Sequence, residues 1–212
     1  MENMKLITTL EKQYGVNEPI FFDEIAKAGK GYTRARIYQL INTALDSGVL
    51  ARFGYDCYYI PTQTPFGKSL LNPRRVIEKK YVQDNGEIYG YYTGMMLLNM
   101  FGITTQMPNV IEIYTNNEAT KSRRVNINNQ TIIVKKARTK IDKTNYREMM
   151  ILELFNIIDT DVINAQTSKK IIDYMKTNSI KIKDVMQYAD KVPARAIKNF
   201  MRSEVQNEIA YQ

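Results

Sequence analysis

Between Thr33 and Ser47 the run TRARIYQLINTALDS carries Arg34, Arg36, Tyr38, Gln39 and Asn42 at spacings that place them on one side of an α-helix. Their chemistry is that of base recognition. Arginine donates paired hydrogen bonds to guanine, while glutamine and asparagine both donate to and accept from adenine. A helix bearing these groups along one face is suited to duplex DNA in the major groove. Helix stability does not call for the arginines, because cations in a first turn oppose the helix dipole. A solvated face on an ordinary helix gives the same pattern, so the flanking elements must decide.

Opposite that face, Ile37, Leu40, Ile41, Ala44 and Leu45 supply an apolar stripe. Thr33 is the predicted N-cap and Gly48 the stop. Upstream, Met4, Leu6, Ile7 and Leu10 predict a first helix, and Phe22, Ile25 and Ala26 a short second one ending near Gly29 and Gly31. Two helices joined through glycine to a third follow the helix-turn-helix order. Downstream, Val49, Leu50 and Arg52, then Cys57 to Ile60, read as two strands around Phe53-Gly54-Tyr55-Asp56. Residues 1–62 are therefore expected to form a winged helix. Thr33, Arg34, Arg36, Tyr38, Gln39 and Asn42 would face the groove, with Arg52 and the tyrosines beside it on the phosphate backbone.

At 212 residues, 44% hydrophobic and 25% charged, the chain has the composition of one or two globular domains. No apolar run approaches the ~20 residues needed to cross a bilayer. Met1 to Leu10 lacks a signal-peptide pattern, and Cys57, the only cysteine, rules out an internal disulfide. These features lead to an expected cytoplasmic location. The absence of histidine excludes Ser-His-Asp and Cys-His relays and HExxH zinc sites, so no metal or cofactor is expected.

The net charge of +8 is unevenly placed. Up to Thr62 there are seven bases and seven acids, whereas Gln63 to Lys143 holds thirteen bases against six acids. One cluster, Arg74, Arg75, Lys79 and Lys80, falls on a helix opened by Pro73. The other, Arg123, Arg124, Lys135, Lys136, Arg138 and Lys140, falls in a β-rich segment. Both are expected to form an additional nucleic-acid surface that extends the DNA footprint or holds RNA, solvated charge being the alternative.

Pro61 to Ser69, PTQTPFGKS, is turn-rich, which makes residues 63–72 a linker. Its Gly67-Lys68-Ser69 is not a phosphate loop, since Thr62 stands where glycine is required. A helix from Pro73 to Val82 follows, then a turn at Asp84-Asn85-Gly86, a strand through Ile88 and Tyr89, and an apolar helix from Thr93 to Gly102 whose methionines read as core filler. A strand from Val110 to Thr115 and a hairpin around Asn128-Asn129 complete the β part. From Tyr146 the period changes to 3.6, predicting helices through Phe155, Ile171, Val185 and Phe200.

The expected architecture is α+β: an N-terminal winged helix-turn-helix, then a mixed α/β domain (73–160) ending in a helical bundle (161–212). Catalysis is not expected. Glu112 and Glu118 find no acid on the neighbouring strand from Thr131 to Lys136, so the carboxylate set of a metal-dependent nuclease is missing. Tyr89, Tyr91, Tyr92 and Thr93 form either a core edge or the lining of an effector pocket.

The runs RFGYDCYYIP, TPFGKS, GEIYGYYTGMMLLNMFGITTQMPNVIEIYTN and KKARTKIDKTNY resemble the AbiEi family of type IV toxin-antitoxin antitoxins. The resemblance spans Val49 to Asp159 and is most specific between Tyr89 and Asn116. It implies a DNA-binding autorepressor of its own promoter that counteracts a nucleotidyltransferase toxin in abortive phage infection, with no need for the two proteins to touch. A stand-alone winged-helix regulator with an effector-binding second domain is the alternative.

Overall fold

The computed structural model describes residues 2–54 and 56–211. The chain is mixed α+β and divides into two compact units, Met1–Lys79 and Lys80–Gln212.

The first unit opens with α1 (Glu2–Tyr14), β1 (Ile20–Phe21), α2 (Phe22–Ala28) and α3 (Arg34–Asp46), followed by β2 (Ala51–Arg52) and β3 (Cys57–Tyr59). Thr33 caps α3 as its sequence predicts, its hydroxyl accepting the Arg36 N–H at 3.2 Å. Gly48, at φ +70°, turns the chain out of the helix in the left-handed region that favours glycine. Strand β1 has no signal in the sequence. Two residues are too few to show an alternating pattern, and this pair exists because Ile20 and Phe21 align with Tyr58 and Cys57. The three-stranded sheet has the order β1-β3-β2. Of the anticipated turn between β2 and β3, Tyr55 lies outside the described residues. Leu10, Ile20, Ile25, Ile41 and Ala44 are almost fully buried in one core with Leu40, Leu50 and Tyr58. Each side chain of that size contributes ~1.5–3 kcal/mol by leaving water, so the apolar stripe of α3 fixes which face remains outside.

Residues 63–79 belong with the first unit, not with a free linker and a second domain as the sequence indicates. They hold the hairpin β4 (Gln63–Thr64) and β5 (Gly67–Lys68), and α4 (Pro73–Tyr81) begins among them. Ion pairing explains the difference. Arg75 Nε reaches Glu18 at 2.8 Å, and the buried Lys79 ammonium donates to the Pro19 carbonyl at 2.7 Å while pairing with Glu24 at 2.9 Å.

The second unit contains β6 (Gln83–Asp84), β7 (Glu87–Ile88), β8 (Gly90–Thr93), α5 (Gly94–Met100), β9 (Val110–Thr115), β10 (Ser122–Ile127) and β11 (Gln130–Lys136). Then come α6 (Tyr146–Ile157), α7 (Ala165–Thr177), α8 (Ile182–Met186) and α9 (Ala194–Arg202), with 3-10 turns at Thr160–Val162, Ala189–Lys191 and Glu204–Tyr211. The main sheet has the order β10-β11-β9-β8, with β9 and β11 parallel and the other pairs antiparallel. Every residue from Met149 to Phe155 is buried, so α6 is the interior helix of this unit. Phe155 meets Phe200 of α9 edge-on, ring centres 5.4 Å apart. Two methionines assigned to the core from the sequence are instead in solvent, Met95 and Met100 of α5, because that short helix buries chiefly Leu97.

Candidate nucleic-acid interface

Helix α3 buries Ile37, Leu40, Ile41 and Ala44, and leaves Thr33, Arg34, Arg36, Tyr38, Gln39 and Asn42 exposed. The helix therefore brings together all the α3 residues singled out by sequence. Their exposed charges are not idle. Arg34 lies 4.9 Å over the Phe22 ring and 5.9 Å from that of Tyr38, and these two rings are themselves stacked at 4.5 Å. Arg36 donates through Nη2 to Glu2 at 2.6 Å and through Nη1 to the Gln39 carbonyl oxygen at 3.0 Å. The first-turn arginines thus have intramolecular partners that offset the unfavourable dipole, which local sequence does not show: Glu2 is 34 residues from Arg36.

Arg52 stands on β2, at one edge of the three-stranded sheet, with its guanidinium 5.4 Å over the Tyr58 ring. It shares with Arg34 and Tyr38 an open cleft of about 440 Å³ whose other walls are Phe21, Phe22, Asp23, Asp56 and Tyr58. Both arginines are held by aromatic faces, an arrangement worth ~0.5–1 kcal/mol at exposed positions. Each is oriented before any ligand arrives. The acids temper the cleft. Phe22 reads as an ordinary core residue in the sequence, while Tyr58 and Tyr59, expected beside Arg52 on the phosphate backbone, are buried, the Tyr58 ring lying under the guanidinium instead.

The second basic set does not form the single surface expected. Arg75 and Lys79 are tied to Glu18, Glu24 and the Pro19 carbonyl; Lys135 pairs with Glu112 at 2.6 Å; and Arg123 pairs with the buried Glu118. Arg138 is committed inward. Its Nη1 donates to Glu153 at 2.6 Å and its Nη2 to the Tyr114 hydroxyl at 2.8 Å. Arg74, Arg124, Lys136 and Lys140 have exposed side chains, and Lys80 is half-buried. By register, Arg124 lies opposite Ile133 while Lys136 shares the alternate face with Ile132 and Val134, so these two point to opposite sides of the sheet. The separations that hide this pairing from sequence are long, 57 residues for Arg75 and Glu18.

Around Glu153 the second unit holds a buried polar network. Thr93 donates to one carboxylate oxygen at 2.7 Å; Arg138 and Asn156 donate to the other. The Tyr91 ring lies 5.6 Å from that of Tyr114, and its buried hydroxyl has no hydrogen-bond partner among the described residues. Burial, reinforced by the Glu153 charge, pushes that hydroxyl above the usual tyrosine range. Glu118 goes the other way. Burial opposes its charge, but the Thr120 hydroxyl and N–H and the Arg123 guanidinium outweigh it and hold the carboxyl at about 2.

Among the described residues, no three His, Cys, Asp or Glu side chains are placed to hold a metal ion, and no helix is long and apolar enough to cross a membrane. No family model and no curated protein matches the chain.

Proposed function

We propose that the chain is a DNA-binding transcriptional autorepressor whose first unit is a winged helix, and an antitoxin acting against a nucleotidyltransferase toxin in the cytoplasm. The observation that carries the DNA-binding half is the placement of Arg34, Arg36, Tyr38, Gln39 and Asn42 on the exposed face of α3, with Arg52 lining the same cleft as Arg34 and Tyr38. In this reading α3 lies in the major groove with its first turns toward the base edges. Arg52, carried by the β2–β3 hairpin, takes the phosphate backbone. The Arg36–Glu2 pair does not prevent engagement. Both side chains are about half exposed, such a pair is worth ~0–1 kcal/mol, and one good bidentate contact to a base is worth ~1–3 kcal/mol.

The antitoxin half rests on the resemblance of Tyr89 to Asn116, within which no catalytic role is assigned. Direct contact with the toxin is not required by it. A second reading, an effector-binding regulator, draws support from the unpartnered Tyr91 hydroxyl beside the Glu153 network, since buried polar groups are seldom left unsatisfied.

Two assays test the proposal. The full chain should retard its own promoter fragment on a gel, and the Arg34→Ala/Arg36→Ala variant should not; equal retardation by both would remove α3 from the interface. Co-expression should restore growth to cells producing a nucleotidyltransferase toxin of the AbiEii type. Continued arrest with the chain present would remove the antitoxin role and leave the regulator.

A further inference from the structure

Resting on the DNA-binding reading above, we infer that Glu2, Arg36 and Gln39 act as one specificity element that reads hydrogen-bond acceptors, so that α3 selects guanine at the position Gln39 addresses. The argument is one of donors and acceptors. A free glutamine offers a carbonyl and an amide NH2 side by side, which matches the N6–H and N7 pair of adenine. Here the Gln39 carbonyl oxygen already accepts from Arg36 Nη1 at 3.0 Å, and Arg36 is held from the other side by Glu2 at 2.6 Å. One of the two lone pairs of that carbonyl is thereby taken, and beside it stand the Gln39 NH2 and the remaining N–H groups of Arg36, so that donors outnumber the one acceptor site left. In the major groove, O6 and N7 of guanine present two adjacent acceptors, whereas adenine presents N7 next to a donor that would oppose the amide. Glu2, on α1, is therefore a positioning residue: it fixes the arginine that occupies the glutamine carbonyl.

The test is selection of random-sequence duplexes by the full-length chain, followed by sequencing. The wild type should enrich guanine at a defined position. Arg36→Ala frees the Gln39 carbonyl and should change the preference there to adenine, while Arg36→Ala/Gln39→Ala should lose preference at that position and keep it elsewhere. Three results overturn the inference: guanine retained in Arg36→Ala, preference lost in Arg36→Ala although Gln39 is intact, or adenine enriched by the wild type. In those cases the chain still selects sequences and the DNA-binding reading stands. If the wild type enriches no sequence, both fail together. Circular dichroism melting of each variant confirms the fold, since all three side chains are exposed.

Discussion

The Arg138 guanidinium reaches the buried Glu153 carboxylate at 2.6 Å and, with its other terminal nitrogen, the Tyr114 hydroxyl at 2.8 Å. An arginine counted with the basic surface residues is thereby the counter-charge of an interior acid. Removing one partner of such a pair leaves the other charged and desolvated, at ~3–5 kcal/mol. Arg138→Ala should lower the urea-unfolding free energy by that amount. Arg138→Lys should recover only part of it, because an ammonium cannot span both acceptors. Neither should change the salt dependence of DNA binding, and a flatter salt slope in Arg138→Ala would return this residue to the interface.

The two aromatic-backed arginines of the first unit should behave differently. Arg52→Ala is expected to weaken binding to all sequences alike and to flatten the dependence of log K on log salt by about one unit. Arg34→Ala, in the first turn of α3, should cost affinity mainly on the preferred sequence, by ~1–3 kcal/mol. A uniform loss on all sequences, seen in a titration at several salt concentrations, would instead assign Arg34 to the backbone.

Acid stability should report on Glu118. Its carboxyl is held at about 2, below the ordinary 4.5. The stabilisation it provides is complete above pH 4.5 and is lost as the pH falls from there toward 2. In Glu118→Gln, the decline in unfolding midpoint over that interval should be shallower than in the wild type. Parallel declines would show that the Thr120 and Arg123 contacts do not discriminate between protonation states.

The extent of the first unit can be measured directly. A fragment ending at Thr62 lacks Lys79 and Arg75, the partners of Glu24 and Glu18. Charged hydrogen bonds of this kind contribute ~1.5–3 kcal/mol, so a fragment ending at Lys79 should melt on the order of 10 °C higher. Equal melting temperatures would place the boundary back at the end of β3.

Elements with a strong period were legible in the sequence. Thr33 and the apolar positions of α3 locate that helix to within a residue, and Val110 to Thr115 is a strand as its alternation indicates. The short strands β1, β4 and β5 were not, because each consists of two residues whose pairing is decided by partners elsewhere. The exposed set on α3 was legible for the same reason as the helix: burial of one face determines the other. The basic clusters were not, because whether a lysine is free depends on an acid that the fold delivers. Lys79 receives a carbonyl from 60 residues away, and nothing adjacent to it in sequence announces that.

Among the described residues, strand β10 ends the main sheet, with only β11 beside it. An outermost strand invites a second chain to extend the ladder, and natural proteins discourage this with charge. Arg124 and the neighbouring Lys121, both in solvent, give two approaching copies like-signed borders that repel. The expected consequence is a protein that stays dispersed when concentrated: Arg124→Val should raise light scattering as the protein is concentrated, and an unchanged trace would free that arginine for another purpose.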